Sequence, residues 1–266
     1  MKYSCCHHQN LLHFKFELAR FKVFLREDIW DSLVFTNKSH FGESRTLLLQ
    51  WEEIDFFRLA YRLAIAGSAA FKDLSSRILP LTENQIDDAT EDSLRQALAP
   101  LWGLRAQKGK NAYVTRWVYS RLTDASGNTY PRSLTILLNK AKEIELRASK
   151  RQTTSDRIFS WKSLTESLEF ASKERCDAIR DEYPEFVGFF NHMNELGSLF
   201  KVDELRTIWE TNYSDMPLDK SFDGFVKRLE QIGVIAQKKN NARYDYSVAN
   251  LYVYGFGVKR KQGQQK

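Results

Sequence analysis

SFDGFVKRLEQIGVIAQKKNNARYDYSV, residues 221–248, is the stretch whose reading decides the architecture. Phe222, Phe225, Val226, Leu229 and Ile232 fall on one helical face, and Gly233 is placed to end the helix. Val234 to Lys239 then reads as a strand, Asn240-Asn241 as a tight turn, and Arg243 to Val248 as the returning strand. Upstream, Val202, Leu205, Ile208 and Trp209 predict another helix at about 202–210. Helix, loop, helix and β-hairpin in that order predicts a winged helix. Two further helices are predicted before it, near 160–180 and near 184–197, the second opened by Pro184.

Working toward the N-terminus, the polar segment 149–158 breaks the periodicity and reads as a linker between domains. Residues 70–150 are helical in pattern, broken by Pro80 and Pro100, with Thr82 and Thr90 as candidate N-caps. The run Asp124-Ala-Ser-Gly-Asn-Thr is turn chemistry. Pro131 then opens a helix to about 148 with Leu134, Leu137, Ala141, Ile144 and Ala148 on one face. Arg132 falls in its first turn, where the helix dipole favours anions. It is read either as a surface arginine paired with a carboxylate or as a phosphate contact assisted by the helix N-terminus. A helix is predicted at about 52–66, with Arg58 and Arg62 on a face apart from Ile54, Phe57, Tyr61 and Ala64. The runs 21–25 and 46–51 read as buried strands, the first ending in Arg26-Glu27-Asp28.

Composition bounds the function. The chain has 266 residues, 42% apolar and 13% aromatic, which excludes wholesale disorder. It shows neither a membrane span nor a secretion signal. Cys5, Cys6 and Cys176 make no disulfide framework, so a soluble, cytoplasmic chain is expected. The whole net charge of +6 sits in residues 238–266, where seven basic side chains face Asp245 alone; the other 237 residues hold 33 of each sign. Such a basic end suits a surface that meets phosphates, or a solubilising tail. Lys227 and Arg228 on the presumed recognition helix, with Lys238, Lys239 and Arg243 on the hairpin, are the candidate duplex-DNA contacts, against Asp223 and Glu230. The aromatic residues of the last strand read as packing.

Catalytic and metal motifs are weak. The nearest approach to a phosphate-cradling loop, Gly103 to Asn111, has one residue too many between its glycines. It also lacks a hydroxyl at Asn111. Cys5-Cys6-His7-His8 lacks zinc-ligand spacing and a second pair, so no metal is expected there. No nucleophile elbow or catalytic pair stands out, and catalysis by these residues alone is not expected.

Three segments carry a resemblance. Lys-Val-Phe-Leu-Arg-Glu-Asp-Ile-Trp (22–30) resembles the strand and arginine that follow the Walker B segment of AAA/STAND-like P-loop ATPases, including those of prokaryotic defence islands. Leu-Gln-Trp-Glu-Glu (49–53) with Arg62 resembles the strand and helix that close that core. Asp124 to Ser133 is similar to the lid-domain loop and Pro-Arg helix start.

The resemblance implies a mainly α chain with a small β component (α+β). Its parts would be a remnant of the α/β P-loop core (1–66), a helical lid (67–150) and a C-terminal winged helix (151–266). It implies nucleotide-sensing roles for Arg26, at the γ-phosphate end, and for Arg132, as a lid arginine. No Walker A loop precedes residue 20. ATP and magnesium are therefore expected only when a Walker A-containing partner or N-terminal half completes the site, the chain being a truncated product, a split subunit or a degenerate descendant. Duplex DNA and a second copy of the chain are the other partners expected, and a membrane is not.

Overall fold

The structure, a computed structural model, describes residue 30 and residues 33–41, 51–79, 81–105, 112–148, 157–212, 221–239, 241 and 243–260. The chain forms two compact units, residues 1–49 and 50–266. In the first, the Lys38 ammonium donates to the carbonyls of Trp30 and Leu33, at 2.6 and 3.1 Å. The strand expected at 21–25, Arg26, and residues 46–50 of the second expected strand lie outside the described residues.

The second unit is mainly helical with a small antiparallel sheet. Its first elements are α1 (Glu53–Gly67), α2 (Ala69–Ile78), α3 (Glu83–Asp88), α4 (Glu91–Trp102), α5 (Val114–Arg121), α6 (Pro131–Ala148) and α7 (Trp161–Glu182). Local chemistry sets their ends. Gln85 Oε1 accepts from the backbone N–H and hydroxyl of Thr82 (3.0 and 2.9 Å), and Thr90 Oγ1 accepts from Ser93 N. Ser68 ends α1 in extended conformation and accepts from Phe71 N to open α2. Pro131 occupies the first position of α6, where its missing N–H costs nothing.

Pro100, expected as a breaker, lies inside α4, two residues from its end. Gly103, at φ +87°, donates to Ala99 O and stops the helix. The carbonyls of Pro100 and Leu101 accept from Ile158 N (2.9 Å) and Phe159 N (2.7 Å). The far end of the expected linker is thus bonded to the end of α4; its residues 149–156 lie outside the described set.

After α7 the single helix expected at 184–197 is replaced by short turns: a 3₁₀ turn at Pro184–Phe186, α8 (Val187–Phe190) and a 3₁₀ turn at Met193–Glu195. Phe186, Phe189, Phe190 and Met193, spaced i, i+3, i+4 and i+7 as on one helical face, are all buried although the chain here turns in short pieces. The remaining elements are β1 (Leu199–Phe200), α9 (Val202–Thr211), α10 (Phe222–Gln231), β2 (Ile235–Gln237), β3 (Tyr246–Val248) and α11 (Asn250–Val253). The sheet order is β1-β3-β2, both pairs antiparallel, with Phe200 and Gln237 both opposite Tyr246. Gly233, at φ +74°, turns the chain from α10 into β2.

One buried apolar cluster runs from Phe56 in α1 to Val258 beyond α11. Its most extensive helix contact is α6 against α7. Three pairs across that contact run in opposite directions and make the two helices antiparallel. Ser160 N donates to Glu145 (2.6 Å), Lys140 lies over Phe170, and Arg132 meets Glu174. Cys176 is fully buried in α7, and burial pushes its thiol up to about 12.

Glu53 opens α1 with Oε1 buried and without a hydrogen-bond partner among the described residues. Burial first, and Glu91 second, hold its carboxyl above the ordinary range, opposed by Arg116 and Arg95. Because the folded state binds this proton more tightly than the unfolded chain, Glu53 lowers stability as pH rises above its ordinary range. Glu53→Gln is expected to melt above wild type at pH 7, the difference closing at pH about 4. A gap that stays constant across that range in thermal melts would refute the assignment.

Candidate functional site

The turn between α5 and α6 is organised by one carboxylate. Asp124 is buried and accepts from Ser126 N (2.9 Å), Asn128 N (2.9 Å), Asn128 Nδ2 (3.3 Å) and the Tyr130 hydroxyl (2.7 Å). Gly127, at φ +91°, supplies the left-handed residue, and Thr123 bridges to Thr129 to close the loop. The turn does not stand alone. Ala125 N donates to Gly233 O (2.8 Å) and Ser126 Oγ to Glu230 O (3.2 Å), at the α10–β2 junction. A Cβ at Gly233 would lie 2.7 Å from Asp124 Oδ2, so only glycine lets the two segments seat this closely.

Arg132 follows in the first turn of α6. Its side chain is 80% exposed and its Nε lies 2.7 Å from Glu174 Oε1 on α7, so the pairing with a carboxylate is realised. The pair joins a solvated guanidinium to a Glu174 side chain that is only 20% exposed. Beneath it, Thr129 Oγ1 and Ser133 Oγ are buried without hydrogen-bond partners among the described residues.

Behind the turn lies a buried polar cluster. Arg175 of α7 makes two 2.8 Å hydrogen bonds to Glu182, places its guanidinium 3.9 Å from the Tyr130 ring centre, and donates through Nε to the Tyr252 hydroxyl (3.4 Å). Burial works against the Arg175 charge, but the bonds to Glu182 and the two tyrosines outweigh it and hold its pKa above the usual value. Burial pushes both Tyr130 and Tyr252 above the ordinary phenol range. Through these bonds the cluster ties α7, α11 and Tyr130 together as a clamp.

The second candidate surface is basic. Lys227 and Arg228 are exposed on α10, and Lys238, Lys239 and Arg243 are exposed on the connection between β2 and β3. Arg228 lies over Tyr183 at 5.9 Å and Arg243 over Tyr244 at 5.4 Å. Asn241 Oδ1 accepts from Arg243 N (2.9 Å) and Tyr244 N (3.1 Å), and Lys238 N donates to Asp245 O (2.7 Å), which shapes the tip. Among the described residues none of these five cations forms an ion pair. Exposed Asp223 and half-buried Glu230 share α10 with them. Arg206 on α9, over Phe222 at 4.1 Å, adds a cation that the sequence pattern did not single out.

The structure therefore joins the Asp124–Arg132 segment to α10, on which Lys227 and Arg228 sit. Arg26 and the Cys5–His8 run lie outside the described residues. No group of three or more His, Cys, Asp or Glu side chains able to hold a metal occurs among the described residues, and no described helix is long and apolar enough to cross a membrane. Sequence reasoning flagged the turn 124–129 but missed Arg175, Glu182, Tyr252 and Gly233 as its supports. A lone arginine at a core-facing position of α7 was the one available signal. No family model, curated protein or solved structure matches the chain.

Replacing Arg175 with Met removes the cation, its two bonds to the half-buried Glu182 carboxylate and its bond to the Tyr252 hydroxyl. Arg175→Met is expected to cost about 3 kcal/mol in urea unfolding, the low end for breaking a buried ion pair. A loss below about 0.5 kcal/mol, the scale of exposed pairs, would show that the cluster is not a structural clamp.

Proposed function

We propose that this chain is the nucleotide-state-sensing lid and winged-helix part of a P-loop ATPase, not hydrolytic by itself. The observation that carries the reading is the direct bonding of the Asp124–Ser133 segment, which resembles the lid loop of such ATPases, to the α10–β2 junction. In this reading α9, α10 and the β1-β3-β2 sheet are the winged helix, α2 to α6 are the lid (67–150), and α1 belongs to the core remnant (1–66). The exposed Arg132 guanidinium exchanges Glu174 for a phosphate oxygen when nucleotide is held by a Walker A-bearing part. Arg26 plays the companion role at the γ-phosphate end. The chain's own residues supply orientation and charge, while magnesium and the phosphate loop belong to the completing part.

A second reading is favoured by a separate observation: five exposed cations, none in an ion pair among the described residues, on α10 and the hairpin. In that reading the module binds duplex DNA, with the hairpin meeting the phosphate backbone and α10 facing a groove. The two readings are compatible, because a lid that reports nucleotide state needs an output surface.

ATP turnover should be at background for the pure chain. Mixed with the product of an adjoining reading frame that carries Gly-x-x-x-x-Gly-Lys-[Ser/Thr], turnover should appear and fall at least about tenfold in Arg26→Ala or Arg132→Ala, the scale of lost charge-assisted contacts. Turnover by the pure chain that these substitutions abolish would overturn the proposal of a non-hydrolytic sensor, and turnover of the mixture indifferent to both would overturn the sensing roles.

For the second reading, duplex affinity should fall with salt at a log–log slope of about −0.9 per phosphate contacted. Lys238→Glu, Lys239→Glu and Arg243→Glu together should flatten that slope. An unchanged slope would remove the hairpin from the interface.

A further inference from the structure

The turn 124–128 makes two sets of bonds that share its backbone. One set points inward, from Ser126 N, Asn128 N, Asn128 Nδ2 and the Tyr130 hydroxyl to the Asp124 carboxylate. The other points outward, from Ala125 N and Ser126 Oγ to the carbonyls of Gly233 and Glu230 at the end of α10. Tyr130 immediately precedes Pro131, the first residue of α6, and its ring is held against Arg175. A shift of the first turn of α6 therefore pulls on Tyr130, through it on Asp124, and through the turn on the end of α10. Packed interiors respond to such a pull by changing between discrete arrangements and not by stretching. At Gly233 the seating has no slack, since a Cβ there would already collide with the Asp124 carboxyl.

We infer that the 124–128 turn, seated by Asp124 against Gly233, is a latch through which the first turn of α6 controls the end of α10 and hence the presentation of Lys227 and Arg228. The inference rests on the proposed function for its purpose: the event that moves α6 is the exchange of Glu174 for a phosphate at Arg132, and the output is the grip of α10 on duplex DNA. The mechanical link itself needs no ligand.

Hydrogen exchange of the full-length chain tests the link. Tyr130→Phe removes a single hydroxyl, whose hydrogen bond goes to Asp124 and not to any atom of α10. Amides 229–233 are expected to exchange about fivefold faster in this variant, together with amides 125–129, while those of α1 and α4 stay unchanged. Ser126→Ala, which deletes one outward bond at an exposed hydroxyl, should accelerate the same two segments and serves if Tyr130→Phe folds poorly. Acceleration confined to 125–129 in either variant, with 229–233 at the wild-type rate, would overturn the latch. Titration of wild type and both variants with a 20-base-pair duplex separates this from the output: coupled exchange without duplex binding in wild type would sustain the latch and sink the DNA-binding reading. Duplex affinity equal in wild type and in variants whose exchange is coupled would overturn control of Lys227 and Arg228 by the turn.

Discussion

A guanidinium nine-tenths buried among aromatic rings is tolerable only when its charge and its donors are answered, and the arrangement around Arg175 follows from that demand. Two donors go to Glu182, the last residue of α7, and a third points at the Tyr252 hydroxyl on α11. The Tyr130 ring covers the cation's face. Segments that lie more than a hundred residues apart in sequence are thereby fixed around one atom group. Once Tyr130 is held there, its hydroxyl must find an acceptor, and Asp124 provides it. The turn 124–128 is then placed against the α10–β2 junction. Burial of Cys176 beside Tyr252 O and Gly255 closes the same contact on its other side.

This chain of constraints explains why the helical region and the sheet-bearing C-terminal region share one buried cluster. It also gives the two candidate surfaces a physical relation. Arg132, itself exposed, is paired across to Glu174 on α7, the helix that carries Arg175. The cations of α10 and the hairpin are kept exposed by the same packing that buries Phe222, Phe225, Val226 and Leu229 on the opposite face of α10.

What was legible in the sequence was what short range decides. Thr82 and Thr90 open helices because their side chains can meet backbone donors or an acceptor three residues on, and Pro131 opens one because its ring fits only there. Of the predicted face Leu134, Leu137, Ala141, Ile144 and Ala148, the first three are buried, Ile144 is half-buried and Ala148 is exposed where α6 ends. Pro100 was misread because breaking depends on the turn in which a proline falls, and the carbonyls of the last turn of α4 find donors in Ile158 and Phe159, more than fifty residues away. In the run 184–197 the buried residues Phe186, Phe189, Phe190 and Met193 keep the spacing of one helical face, and that spacing does not mark the breaks that divide the run into short turns. At the candidate site, Asp124 and Gly233 were each recognisable as turn residues, but nothing local says that one seats against the other. The exposure of Lys238, Lys239 and Arg243 was readable from charge, whereas the aromatic partner of Arg228 was not.

The Arg175 clamp makes the helical region and the C-terminal module one cooperative body, and the Cys176 thiol reports on it directly. Buried between α7 and α11, it can be alkylated only when that contact opens. Urea titration of the full-length chain, with Cys176 labelling resolved by mass spectrometry and helix content followed by circular dichroism, provides the test. The two signals are expected to change together at one urea midpoint. Labelling of Cys176 at a clearly lower urea concentration, with helix content still native, would contradict it, because the module would then separate from the helices before either unfolds.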